Sequence, residues 1–117
     1  MTRLTIRIDF DDGSGLGPGK VKLLELVEET GSIRKAAAAM KMSYRQGWLL
    51  LKALEETFGA PLTATATGGK QGGGAKLLPL GRLVVAEYRS AEKAAIKAAG
   101  RAMAKLAKRA GESPRAY

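Results

Sequence analysis

The residue types best suited to recognising another molecule stand at the start of one helix-forming segment, SYRQGWLLLKAL. Serine, tyrosine, arginine and glutamine side chains can make the hydrogen bonds that distinguish base pairs in the major groove of DNA. A leucine and a lysine further along extend the same side of the segment. These residues are predicted to meet bases or nearby phosphates: Ser43, Tyr44, Arg45, Gln46, Leu49 and Lys52.

Two short helices joined by a tight turn must position these residues. Ser32 is expected to cap a helix over 34–40, Lys41 and Met42 to form the turn, and Ser43 to cap a second helix over 44–57. Two helices so joined form a helix-turn-helix unit, whose second helix enters the major groove. Three residues of the first helix and its cap complete the predicted DNA-binding set: Ser32, Arg34 and Lys35.

The second helix has two chemically different sides. At 100° per residue, one side is apolar and is expected to face the core: Gly47, Leu50, Leu51, Leu54 and Phe58. Arg45, Leu49 and Lys52 lie opposite, and Tyr44 and Trp48 form an i, i+4 pair on the flank. An amphipathic helix with a merely solvated charged side is the alternative interpretation of the same pattern.

Composition excludes several function classes. The 117 residues include neither cysteine nor histidine, which removes disulfides, thiol chemistry and thiolate or imidazole metal sites. The loop DDGSGLGPGK lacks the glycine spacing and the Ser or Thr of a phosphate-binding loop. We therefore expect no enzyme, no cofactor and no metal. No apolar run is long enough to span a bilayer and no signal peptide is evident, so a cytoplasmic protein is expected.

The positive charge is concentrated in the second part of the chain. The net charge is +9, and residues 70–117 hold 11 Lys or Arg against 3 Asp or Glu. Residues 1–69 are nearly balanced, with 9 against 8. This excess predicts a polyanionic partner, most simply double-stranded DNA, with an anionic membrane surface as the competitor.

The remaining elements frame the helix-turn-helix. Leu4, Ile6, Ile8 and Phe10 alternate with polar residues, which predicts a strand with one buried side. Residues 11–19 are expected to form a loop and 20–30 a helix that ends at Gly31. Within that helix two apolar residues fall outside the main apolar side, so we expect it to touch more than one neighbour and to add to a dimer interface: Val21 and Leu26.

A hairpin with a glycine-rich tip follows. Residues 62–67 and 75–78 read as two strands around GGKQGGG. After a helix-turn-helix such a hairpin is a wing, and Lys70 and Gln71 at its tip are predicted to reach a phosphate or a minor groove. A loop without a partner remains the alternative.

A single long helix is predicted over 80–110. At about 1.5 Å per residue it would be about 45 Å long, more than a domain of this size can cover. Gly100 is a possible point of kinking or folding back. An apolar stripe is expected to hold a homodimer together through Val84, Tyr88, Ala91, Ala95, Ala99, Ala102, Met103 and Leu106.

The segments GSIRKAAAAMKMSYRQGW and TGGKQGGGAKL resemble the DNA-binding domain of the molybdate-responsive ModE regulators, itself similar to the LysR-type winged helix-turn-helix. The resemblance covers about residues 3–90. It implies a mostly α, α+β fold, DNA binding and transcriptional regulation. The family's turn glycine is Lys41 here, its arginine before the wing is Thr65, and its threonine before the last helix is Leu78.

The resemblance also implies what the chain lacks. Regulators of this kind carry a C-terminal oxyanion-sensing domain, whereas residues 91–117 predict only basic helix. We therefore expect a stand-alone winged helix-turn-helix over 1–90, a dimerisation helix over 80–110 and a frayed tail over 111–117, with no molybdate bound by this chain alone. A nucleoid-type architectural protein with broad DNA binding is the alternative function.

Overall fold

The computed structural model describes residues 1–66 and 74–111. Helices dominate, with two small antiparallel hairpins, so the predicted mostly α, α+β winged helix-turn-helix fold is confirmed. In chain order the elements are β1 (Ile8–Asp9), β2 (Gly15–Leu16), α1 (Pro18–Thr30), α2 (Ile33–Ala39), α3 (Tyr44–Phe58), β3 (Thr63–Ala66), β4 (Gly74–Leu77) and α4 (Pro79–Arg109).

The N-terminal segment is a hairpin rather than one long strand. Its alternation is confirmed, because every second residue from Thr2 to Phe10 is half-buried. Only Ile8 and Asp9 form a ladder, however, and they pair with Gly15 and Leu16, which the sequence had placed in a loop. The loop predicted over residues 11–19 also ends earlier than expected, because α1 already begins at Pro18. Pro18 begins α1, as its fixed φ allows at the first helical position.

Helix α1 lies at the centre of the domain and packs against α2, α3, α4 and β4. It ends where predicted, at Gly31, whose φ of 71° is the left-handed value that closes a helix. The contact with several neighbours is confirmed. Val21 and Leu26 were expected to add to a dimer interface, yet Val21 is fully buried in the chain's own core, and Leu26 packs half-buried against the same core. Val21 is therefore not available for a dimer contact.

The wing continues directly into α4. β3 and β4 pair antiparallel from Thr63 opposite Leu77 to Ala66 opposite Gly74, while residues 67–73 lie outside the described part. Gly81 in the first turn of α4 packs against the Leu62 carbonyl, where a Cβ would collide with backbone. This close approach sets the wing against the base of α4.

Helix α4 is continuous over 31 residues and passes through Gly100 without a break. The predicted long helix is therefore continuous, and the alternative of a fold-back at Gly100 is contradicted. The described molecule measures 55 × 30 × 21 Å, and the long dimension reflects a helix of about 46 Å. Val84 and Tyr88 belong to the core cluster, whereas no α4 residue beyond Tyr88 does. The second half of α4 therefore projects away from the domain.

Candidate nucleic-acid interface

One serine side chain caps the start of each helix of the helix-turn-helix. Ser32 Oγ accepts from the Lys35 amide at 3.1 Å, and Ser43 Oγ accepts from the Gln46 amide at 3.1 Å. Gln46 Oε1 in turn accepts from the Ser43 amide at 2.9 Å, which completes a capping box. Ser43 and Gln46 therefore hold the α3 N-terminus rigid. The side-chain nitrogen of Gln46, Nε2, donates to no other described residue.

The turn between α2 and α3 contains one left-handed residue that is not glycine. Lys41 has a φ of 59°, a conformation that costs a residue with a Cβ about 1 kcal/mol. The next residue, Met42, donates its amide to the Ala37 carbonyl at 3.1 Å. The sequence comparison with the ModE pattern placed a glycine at position 41, and the observed φ explains why that family uses one.

A single close contact sets the spacing of α2 and α3. A Cβ built on Gly47 would lie 2.9 Å from the Ala37 Cβ, nearer than side-chain carbons come. The predicted core side of α3 is confirmed, with Gly47, Leu51 and Leu54 buried. Because Gly47 packs closely on Ala37, this side of α3 faces α2 and the opposite side of α3 faces solvent.

Two aromatic rings on the exposed side of α3 each lie against a cation, one from α2 and one from α3. The Arg34 guanidinium lies 4.8 Å from the Tyr44 ring centroid, and Lys52 Nζ lies 5.4 Å from the Trp48 ring. The two rings are 43% and 42% exposed, so they are available to a partner. Trp48 was not in the predicted set. Its i, i+4 relation to Tyr44 was the signal that could have added it.

The predicted DNA-binding residues that the structure describes are exposed, except for Ser32, which is half-buried. Arg45 is exposed and makes no ion pair with any other described residue. Leu49 is 48% exposed, and Lys52 shares its charge with Glu55 at 3.3 Å. Lys70 and Gln71 lie outside the described residues. The α2–α3 surface, as we call it, consists of Arg34, Lys35, Lys41, Ser43, Tyr44, Arg45, Gln46, Trp48, Leu49 and Lys52.

The predicted dimerisation stripe on α4 divides into two parts. Val84 and Tyr88 are 6% and 1% exposed and pack in the chain's own core, so they cannot also face a second copy. The other predicted residues lie on the projecting half and are exposed or half-buried: Ala91, Ala95, Ala99, Ala102, Met103 and Leu106. Ile96, which was not among the predicted residues, is 45% exposed on the same half.

Polar contacts hold the base of α4 to the rest of the domain. Tyr88 Oη donates to the Ile6 carbonyl at 2.8 Å, and Arg89 contacts both Glu25 oxygens at 2.7 and 3.1 Å. Arg89 also donates to Glu92 at 2.9 Å. The Arg89 hydrogen bonds lower the pKa of Glu25, while burial raises the pKa of the Tyr88 phenol. These contacts fix the direction in which α4 leaves the domain.

Comparison with protein-family models identifies the fold's relatives. The model described as "Bacterial regulatory helix-turn-helix protein, lysR family" matches residues 19–82, more than half of the chain. The chain belongs to this family. The matched region runs from α1 to the first turn of α4, so it includes the whole α2–α3 surface of this lysR-family chain.

The predicted resemblance to the ModE regulators is also confirmed. The lysR-family chain is 38% identical over 85 residues to the molybdenum transport protein ModE of Azotobacter vinelandii, covering 73% of this chain and 32% of that protein. It is 39% identical over 80 residues to the molybdenum-pterin-binding protein MopB of Rhodobacter capsulatus, covering 68% of this chain and 30% of that protein. The chain spans about a third of the length of these relatives.

Solved structures show the same fold. The CbnR DNA-binding domain, determined in complex with DNA, aligns with a TM-score of 0.57 at 22% identity, covering 75% of this lysR-family chain and 95% of that one. Within the part of the chain that the structure describes, no helix is both long and apolar enough to cross a bilayer.

Proposed function

We propose that this chain is the DNA-binding part of a transcriptional regulator, and that it recognises double-stranded DNA through the α2–α3 surface. The observation that carries the proposal is Arg45, which is exposed beside the capped N-terminus of α3 and forms no ion pair within residues 1–66 and 74–111. Arginine can contact a guanine through two parallel hydrogen bonds, which is the commonest specific contact in the major groove. A rigid helix end lets that contact discriminate between bases.

Two neighbouring groups are assigned to backbone contacts. Arg34 and Lys35 lie in the first turn of α2, where their charges can meet phosphates that flank the major groove. The ring of Tyr44 lies against the Arg34 guanidinium and so restricts its position. Lys70 and Gln71 of the wing tip are assigned to a phosphate or a minor groove on the strength of the sequence alone.

We further propose that the protein acts as a homodimer in the cytoplasm, held by the projecting half of α4. Ile96 and Leu106 are exposed and Met103 is half-buried, and none of these larger apolar side chains of the projecting half belongs to the core cluster of the domain. A two-fold partner would cover both copies with one self-complementary surface. It would also present two α3 helices to half-sites about 34 Å apart, or a multiple of that distance.

The proposal is tested by selecting bound DNA fragments from a genomic library with the purified protein. Affinity for the selected sequence and for random DNA is then measured at one fixed salt concentration. We expect the selected sequence to bind about a thousandfold more tightly or better. Equal affinity would indicate the broad binding of an architectural protein, and no binding to either duplex would contradict the proposal.

The dimer is tested by sedimentation of the intact chain. Ile96→Glu should convert a dimer to a monomer at tens of micromolar protein, because a carboxylate in an apolar interface loses its hydration. Ala104→Glu is the matched control, since Ala104 is exposed and lies about 80° or more around the helix from Ile96, Met103 and Leu106. An intact protein that is monomeric at this concentration would contradict the dimer.

A further inference from the structure

Three large apolar side chains are exposed in the first turns of α3. They are Tyr44, Trp48 and Leu49, of which Leu49 is the most exposed at 48%. All three belong to the α2–α3 surface, where polar and charged side chains surround them. An apolar cluster with a polar rim marks a contact with another molecule. The surface assigned to DNA therefore has an apolar centre that hydrogen bonds and phosphate contacts do not explain.

Leu49 differs from the two aromatic residues beside it. The Tyr44 and Trp48 rings each lie against a cation, at 4.8 and 5.4 Å. Among the described residues, Leu49 belongs neither to the core cluster nor to the hydrophobic residues packed against that cluster. The Leu49 side chain is therefore not used by the core, and its methyl groups are available to a partner.

The packing of α3 determines where Leu49 points. The buried side of the helix consists of Gly47, Leu51 and Leu54. At 100° per residue, Leu49 lies about 165° around the helix from the mean direction of these three residues. It therefore points away from the domain, and in the proposed complex it points toward the base pairs at the floor of the major groove.

Leu49 stands between two cations on this side of α3. Arg45 precedes it by four residues and Lys52 follows it by three, and each lies within about 60° of Leu49 around the helix. The rise of about 6 Å from Arg45 to Leu49 equals about two base-pair steps of about 3.4 Å. An apolar side chain thus reaches the base pairs about two steps from the base that is assigned to Arg45.

The major groove offers an apolar side chain one base-specific partner. The base pairs present hydrogen-bond donors and acceptors there, and thymine alone adds an apolar group, its 5-methyl. The leucine side chain neither donates nor accepts a hydrogen bond. Opposite a polar group it would displace water without replacing the lost hydrogen bond, which costs free energy. The thymine methyl group is therefore the group that Leu49 fits.

We propose that Leu49 contacts the 5-methyl group of a thymine about two base pairs from the base read by Arg45, and so selects a T·A pair at that position. This inference rests on the proposed function, to which it adds the identity of one recognised base. Leu49 and Arg45 read separate positions, so either contact can be removed while the other is kept.

Replacing thymine by uracil tests the contact directly, because uracil keeps the hydrogen-bonding groups of the base and lacks only the methyl group. Each thymine of the selected DNA is replaced in turn, and affinity is measured by fluorescence anisotropy at one fixed salt concentration. We expect uracil at the thymine that Leu49 contacts to weaken binding about fourfold, the factor that corresponds to one methyl group removed from water.

The Leu49→Ala variant should lose this dependence on the methyl group. It should bind the thymine-containing DNA at least as weakly as the parent binds the uracil-containing DNA, and uracil should then make no further difference. Leu83→Ala is the matched control, because Leu83 is an exposed leucine of α4 outside the α2–α3 surface, and it should keep the fourfold effect. Urea denaturation should give the parent's stability for Leu49→Ala, because this side chain lies outside the core.

Two results would overturn the contact. One is a parent protein that tolerates uracil at every thymine, and the other is a Leu49→Ala protein that retains the parent's dependence on the methyl group, which would assign Leu49 to another partner. If Arg45→Ala still relaxes the sequence preference in these cases, the proposed function stands without the thymine contact. A parent protein that binds no duplex would overturn both.

Discussion

The Cβ of Ala37 lies 2.9 Å from the position that a Cβ on Gly47 would occupy, so α2 and α3 meet where only glycine fits. This contact joins two residues ten positions apart across the helix-turn-helix. It holds α3 against α2 and thereby determines how far Arg45 and Trp48 stand out from the domain.

Gly47→Ala should therefore destabilise the fold, although alanine is the better helix former. We expect a loss of about 1–3 kcal/mol in the free energy of unfolding, because the added methyl group forces α2 and α3 apart. Gly19→Ala in α1 is the control, since nothing lies within 4 Å of its Cβ position. Urea denaturation measures both. The swap Ala37→Gly/Gly47→Ala should recover part of the loss, and a Gly47→Ala protein as stable as the parent would show that the contact relaxes freely.

Arg45→Ala should cost about 1–3 kcal/mol on the selected DNA and relax the sequence preference at one position. Lys70→Ala should instead weaken all duplexes about equally, because a phosphate contact carries no base information. Arg101→Ala, on exposed α4, is the control for the loss of one positive charge. Binding to a panel of single-base variants distinguishes these cases. An unchanged preference in Arg45→Ala would mean that α3 is not docked as proposed.

DNA affinity should depend steeply on salt. If about six phosphates are neutralised, the association constant should fall by about a thousandfold between 50 and 200 mM monovalent salt. The source of the charge is the segment 70–117, which holds eight more cations than carboxylates. Titrations by fluorescence anisotropy at several salt concentrations give the slope. An affinity that stays constant across this range would contradict an electrostatic contribution.

Stability should decline at acid pH through Glu25. Its pKa is lowered from the ordinary 4.5 by the Arg89 hydrogen bonds, so the stabilisation is present above 4.5 and is lost as pH falls through the lower value of the folded state. Thermal unfolding between neutral pH and about pH 3 measures the loss. Glu25→Gln should show a smaller decline with pH. Glu56→Gln, on exposed α3, should follow the parent, and an identical decline in all three proteins would assign it elsewhere.

The chain should not bind molybdate by itself. In the described part of the chain no charged side chain is buried, and the buried Tyr88 hydroxyl already donates to the Ile6 carbonyl, so an oxyanion would meet only exposed cations that are already hydrated. Calorimetry with low micromolar molybdate should give no saturable heat, with sulfate as the control anion. A stoichiometric signal would point to a site built across two copies of the chain.

The residues that begin and end the helices were predictable because each capping interaction depends on a few consecutive residues. Ser32 and Ser43 cap the helices that they were predicted to cap, and Gly31 ends α1 in the left-handed conformation. Leu78 precedes α4 without a side-chain cap, as its comparison with the family's threonine indicated. Capping is decided within one helical turn, so no distant contact can override it cheaply.

The tertiary structure alone decided which element covers each apolar side. Val21, Val84 and Tyr88 were assigned to a dimer interface because they fall on apolar stripes, but the domain's own core buries them. Trp48 and Ile96, equally apolar in the sequence, are left exposed. Helical periodicity determines the direction in which a side chain leaves its helix. What lies in that direction depends on residues far away in the chain, here as far as the 82 positions between Ile6 and Tyr88.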